Sequence, residues 1–138
     1  MITAPKQTMS TTDFVYVTET SKSFEQAVVD VLKTVEKKGW GLFQVYDVQE
    51  RLAAKSFSSA PLKIIEICSA KYASRMLQKN PLASICMPCK INIAEENGKV
   101  RIFAPKPTLL AAIFSEFSRE ELLEVENELK TMVDDAAK

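Results

Sequence analysis

The stretch Ile64–Lys90, IIEICSAKYASRMLQKNPLASICMPCK, decides how this chain folds. Together with Leu62 and Lys63, its opening is an apolar run that ends at Cys68 and reads as an interior strand over 62–68. From about Ser69 to Gln78 the pattern becomes helical. It stops before Asn80-Pro81, because the residue ahead of a proline avoids the helical region of backbone space. Ala83–Met87 then reads as a short strand that meets Pro88.

Working toward the C-terminus, Ile91, Ile93 and Glu95 face one side of an extended segment, and Asn92 and Ala94 face the other. Asn97-Gly98 is a hairpin turn signal and Val100–Phe103 comes back, so residues 90–104 predict a β-hairpin. Pro105 and Pro107 open a connection whose apolar run, Leu109–Phe114, has no assignable period. Ser118 and Glu121 form a capping box, after which Leu122, Val125, Leu129, Met132 and Val133 draw one apolar stripe along a terminal helix.

Working toward the N-terminus, Leu42–Tyr46 is a strand, and Asp47 with Glu50 caps a short helix through Lys55. Upstream, Ser23 and Gln26 make a further capping box. Phe24, Ala27, Val28, Val31, Leu32 and Val35 follow at helical spacing, and Gly39 supplies the left-handed stop. Phe14–Thr18 is β-branched and aromatic, hence a strand. The mixture predicts an α+β class: a two-layer sandwich, a mainly antiparallel sheet with helices on one face. Residues 1–12 are expected to form a loose N-terminal arm and 13–138 a single α+β domain.

Composition narrows the chemistry. The chain has 138 residues and no histidine, which removes Ser-His-Asp triads, Cys-His dyads, imidazole proton shuttles and histidine-bound metals together. Eighteen basic side chains balance eighteen acidic ones, so a general nucleic-acid binder, which lives on neutralised phosphates, is not expected. No signal peptide is visible and no apolar run approaches the ~20 residues that span a bilayer, so no membrane role is expected. Three cysteines without a secretory signal point to the cytoplasm and to free thiols.

The order of several short elements resembles the bacterial and archaeal family called domain of unknown function family 302. They are Ser23-Phe24-Glu25-Gln26-Ala27, Gly39-Trp40-Gly41-Leu42-Phe43 with Asp47-Val48-Gln49, Cys68 after its apolar strand, and Asn80-Pro81. Met87-Pro88-Cys89-Lys90-Ile91 and Gly98-Lys99-Val100 complete the series, which spans about residues 14–107. The resemblance implies a small TATA-binding-protein-like α+β fold, often a homodimer, with no established activity. Family members commonly carry Cys-Asn-Pro where this chain has Cys68-Ser69-Ala70, and Cys86 is an addition.

Candidate site residues cluster in the opening stretch. Cys68 sits where a strand hands over to a helix; there, free backbone N–H groups and the helix dipole would lower a thiol's pKa and attract an anion. Lys71, Arg75 and Lys79 recur every four residues on one helical face beside it. Cys86-Met87-Pro88-Cys89 matches C-x-x-C, although the residues after it are strand-like rather than helical. If Cys68, Cys86 and Cys89 converge, three thiolates suit a soft metal ion, with Glu66 or water as a fourth ligand. Residues 71–104 hold six basic side chains against two acidic, and residues 105–138 hold four against eight, so the terminal helix could equally neutralise the basic face. Three readings stay open. One is a non-enzymatic domain that binds or senses a small anionic or metal ligand near Cys68, with Lys71 and Arg75. The others are a thiol redox protein using Cys86 and Cys89, and a protein-interaction module. No residue is assigned a catalytic role.

Overall fold

The computed structural model describes residues 10–138. Residues 1–9 of the expected arm lie outside the described residues, and its end enters a single helical turn, α1 (Thr11–Phe14), closed by Ser10 N donating to the Asp13 carboxylate at 2.7 Å. Five strands follow: β1 (Val15–Thr20), β2 (Gly41–Asp47), β3 (Leu62–Cys68), β4 (Cys89–Glu96) and β5 (Lys99–Pro105). They form one antiparallel sheet in the order β1-β5-β4-β3-β2. Two long helices, α2 (Phe24–Lys37) and α6 (Arg119–Ala137), cover one face. Shorter helices α3 (Val48–Ala53), α4 (Ala70–Lys79) and α5 (Leu109–Ile113) complete the chain. The α+β class is as expected.

The period-two pattern of the strands fixes which face is covered. Ile65, Ile67, Ile91, Ile93 and Ile102 are fully buried and share one core with Val31 and Val35 of α2 and Leu129, Met132 and Val133 of α6. Each such isoleucine contributes roughly 2 kcal/mol through the apolar surface it removes from water. Local signals place the helices as read. Ser23, Asp47 and Ser118 each cap a helix by accepting from the backbone N–H three residues on, at 3.0–3.1 Å. Asn97 and Gly98 both have positive φ, 54° and 77°, the backbone a two-residue hairpin turn needs.

Two segments differ from expectation. Ala83–Met87 is not a strand: Pro81–Cys86 forms a 3-10 helix, because Pro81 pre-sets the first helical φ and the Asn80 side chain accepts from Leu82 N at 3.0 Å. The unassigned run after Pro107 becomes α5. Its entrance is pinned from below by Glu126, only 4% exposed, which receives the Thr108 N–H at 3.2 Å and hydroxyl at 2.6 Å and pairs with Lys130 at 3.2 Å. Burial opposes ionisation of Glu126, but these donors outweigh it and hold its carboxyl below the usual range. The connection 105–110 is thereby fixed over the end of the sheet.

Candidate functional site

Cys68 closes β3 and α4 begins at Ala70, so the predicted strand-to-helix junction is present. Its electrostatics differ from the expectation. The Cys68 thiol is half-buried, and burial pushes its pKa up rather than the helix dipole pulling it down. Cys89, at the start of β4, pairs across the ladder with Ile67 and is pushed up to about 11, first by burial and then by the neighbouring Cys68, against a small opposing effect of Lys90. Cys86 ends the 3-10 helix in solvent. No disulfide joins the three cysteines, and among the described residues no three Cys, Asp or Glu side chains are grouped to hold a metal. Glu66, the fourth ligand considered, instead receives the Tyr46 hydroxyl at 2.7 Å.

The basic row on α4 does form, but it faces the carboxylates of α6. Arg75 lies 3.7 Å from Glu124, and Lys79 pairs with Glu121. Lys71 stands 4.7 Å over the Tyr72 ring, whose hydroxyl donates to Glu128. Trp40, its indole donating to the same carboxylate at 3.0 Å, packs 6.3 Å from Tyr72. Lys71 and Arg75 therefore sit on a seam between α4 and α6 whose charges largely cancel.

A further opening lies beside Cys89. A cavity of about 550 Å³, partly open to solvent, lies where β1 begins, β5 ends and β4 begins, with α5, α6 and the 3-10 helix around it. Its walls include Met76, Phe103, Leu110 and Leu122, and both Cys86 and Cys89 reach it. Asn92 also lines it, and its Oδ1 is the one side-chain oxygen or nitrogen among the described residues that is sealed from solvent without a hydrogen-bond partner. An orphaned acceptor of this kind costs about 1–3 kcal/mol, so it marks a place that another donor could complete. The volume lies within the roughly 300–1,000 Å³ of small-molecule sites, and the mix of apolar wall with few polar groups is typical of them. Lys90 and Lys106 line it as well.

Sequence reading found Cys86 and Cys89 but not the cavity they border. The only local signals were the alternation that puts Asn92 opposite the core isoleucines and the apolar residues left exposed around it, Leu82 at 76% and Ile85 at 86%. Among the described residues no helix is long and apolar enough to cross a membrane.

Comparison with known proteins gives a family and a fold. The profile of a family described as domain of unknown function DUF302 matches residues 16–136. The chain is similar to the crystal structure of an uncharacterized conserved protein DUF302 from Bacillus stearothermophilus, with 28% identity and a TM-score of 0.82 over 89% of this chain and 98% of that one. No curated protein matches.

Proposed function

We propose, for a chain that belongs to the family described as domain of unknown function DUF302, a non-enzymatic binding role: a small, mainly apolar molecule is held in the cavity beside Cys89. The observation that carries this reading is the space itself, about 550 Å³ with a mainly apolar wall and few polar groups. This reading favours the cavity over the site expected around Cys68, Lys71 and Arg75, since Arg75 lies 3.7 Å from Glu124 and Lys71 stands over the Tyr72 ring. This reading goes with a cytoplasmic protein. Calorimetric titration with decanol tests it. Wild type is expected to take up one molecule, and Leu110→Trp, which fills the wall, is expected to weaken uptake by at least about tenfold. Equal binding by both forms would contradict the reading.

A homodimer is a second reading, and its face would include Asn92 and Phe103 of the cavity wall. The sheet face opposite α2 and α6 carries Val17, Phe103, Asn92, Ile64 and Tyr46 in one row across all five strands. Four of the five are apolar or aromatic, and Val17 is 40% exposed. A second copy stacking on this face would bury the row as two sheets do in a sandwich. Sedimentation equilibrium is expected to give twice the 15.4 kDa chain mass, with Val17→Lys reverting to monomer; a wild type monomeric at every concentration would remove this reading.

A further inference from the structure

The two lysines of the cavity wall say what kind of molecule fits. In the antiparallel β4–β5 register Asn92 stands opposite Phe103, so Lys90, at the start of β4, and Lys106, just past the end of β5, belong to the same end of the sheet. Both cations line the cavity. Neither has a carboxylate within 4 Å among the described residues, whereas Lys22, Arg75, Lys79, Arg101, Lys130 and Lys138 all do. Glu66 stands opposite Lys90 on β3 but is engaged by Tyr46 and makes no ion pair with it. The Lys106 ammonium donates to the Thr12 carbonyl at 2.8 Å, its one hydrogen bond among the described residues.

Much of the remaining wall is hydrocarbon, including Met76, Leu109, Leu110, Leu122 and Val125. A space with two cations in a largely apolar wall is complementary to an amphipathic acid. The exposed side chains of Leu82, Ile85 and Ile113, on the 3-10 helix and α5 that border the cavity, give an apolar approach for such a molecule.

We propose that the cavity takes an acyl chain ending in a carboxylate, the carboxylate at Lys90 and Lys106 and the tail along Leu110 and Leu122. This rests on the binding role proposed above and adds the ligand class. The anion expected from the sequence is thereby retained, but its cationic partners are on β4 and the β5–α5 connection rather than on α4.

Titration of the full chain with decanoate, decanol and decyltrimethylammonium at neutral pH separates the two claims. Decanoate is expected to bind about tenfold tighter than decanol, and decyltrimethylammonium weakest, since a charge-assisted contact in a part-dry site is worth about one power of ten. In Lys90→Gln, a substitution of an exposed side chain, decanoate should fall toward decanol while decanol stays unchanged. If decanoate binds no tighter than decanol, or if Lys90→Gln leaves their ratio unaltered, the acid assignment is wrong and the cavity reading stands. If none of the three binds to wild type, both are wrong.

Discussion

Glu128→Ala is expected to lower the unfolding free energy by about 3 kcal/mol, because it strands two buried donors at once. The Trp40 indole N–H and the Tyr72 hydroxyl both end on this carboxylate, and their residues are only 6% and 8% exposed. Neither donor has another acceptor among the described residues, so each would lose about 1–3 kcal/mol on truncation of the partner. Glu128→Gln keeps one acceptor oxygen and should cost less. It also isolates the charge. Burial opposes ionisation of Glu128, but the bonds from Trp40 and Tyr72 and the nearby Lys71 and Lys38 outweigh it and hold its carboxyl below the ordinary 4.5. A carboxylate with a lowered folded-state pKa stabilises fully above its unfolded value and loses that contribution as pH falls through the folded one. The gap between wild type and Glu128→Gln in urea should therefore be widest above about pH 5 and close in acid. Tyr72 acts at the other limb. Burial, then the bond to Glu128, pushes its hydroxyl up to about 12, so the stability of keeping it protonated is present below pH 10 and lost between there and 12. Identical midpoints for wild type and both Glu128 variants at pH 7 would mean that the α4–α6 seam carries no stability.

Cys86 is expected to react with maleimide at least about a hundredfold faster than Cys89. The nucleophile is the thiolate, and raising a thiol from 9.0 to about 11 cuts its thiolate fraction at neutral pH by about a hundred. Restricted access to the half-buried Cys89 adds to this, whereas Cys86 is open to solvent. Cys68, also pushed up by burial, should follow Cys89 rather than Cys86. Peptide mapping after timed labelling at pH 7.5 reads all three sites together. The same asymmetry opposes a dithiol cycle, since neither burial nor Cys68 helps Cys89 to ionise. Equal labelling of Cys86 and Cys89, or a Cys86–Cys89 disulfide under mild oxidant, would favour the thiol redox reading over binding.

The sequence was most legible where one residue type settles one backbone group. Ser23, Asp47 and Ser118 each satisfy a free N–H, Gly39 takes a positive φ, and Asn97-Gly98 closes the hairpin; all can be read within four residues. The strand 62–68 was legible because its apolar run has a proline before it and a helix after it. The 3-10 helix was not, because the Asn80 bond to Leu82 N competes with an extended reading that the apolar residues Ala83, Ile85 and Met87 also satisfy. The basic row on α4 was visible as a face, but its partners lie about fifty residues on, in α6, and only packing chooses between solvent, anion and carboxylate. The cavity had little local pattern beyond the alternation that sets Asn92 against the core isoleucines. Phe14, Met76, Cys89, Phe103, Leu110 and Leu122 come from separate elements, and the fold alone brings them to one wall.

The most direct test of the cavity as the binding site is amide chemical-shift mapping with decanoate. The account predicts saturable shifts centred on Cys89, Asn92, Phe103 and Leu110, with Lys71, Arg75 and the β2–β3 edge unmoved. Shifts centred on α4, or scattered over the surface without saturation, would contradict it.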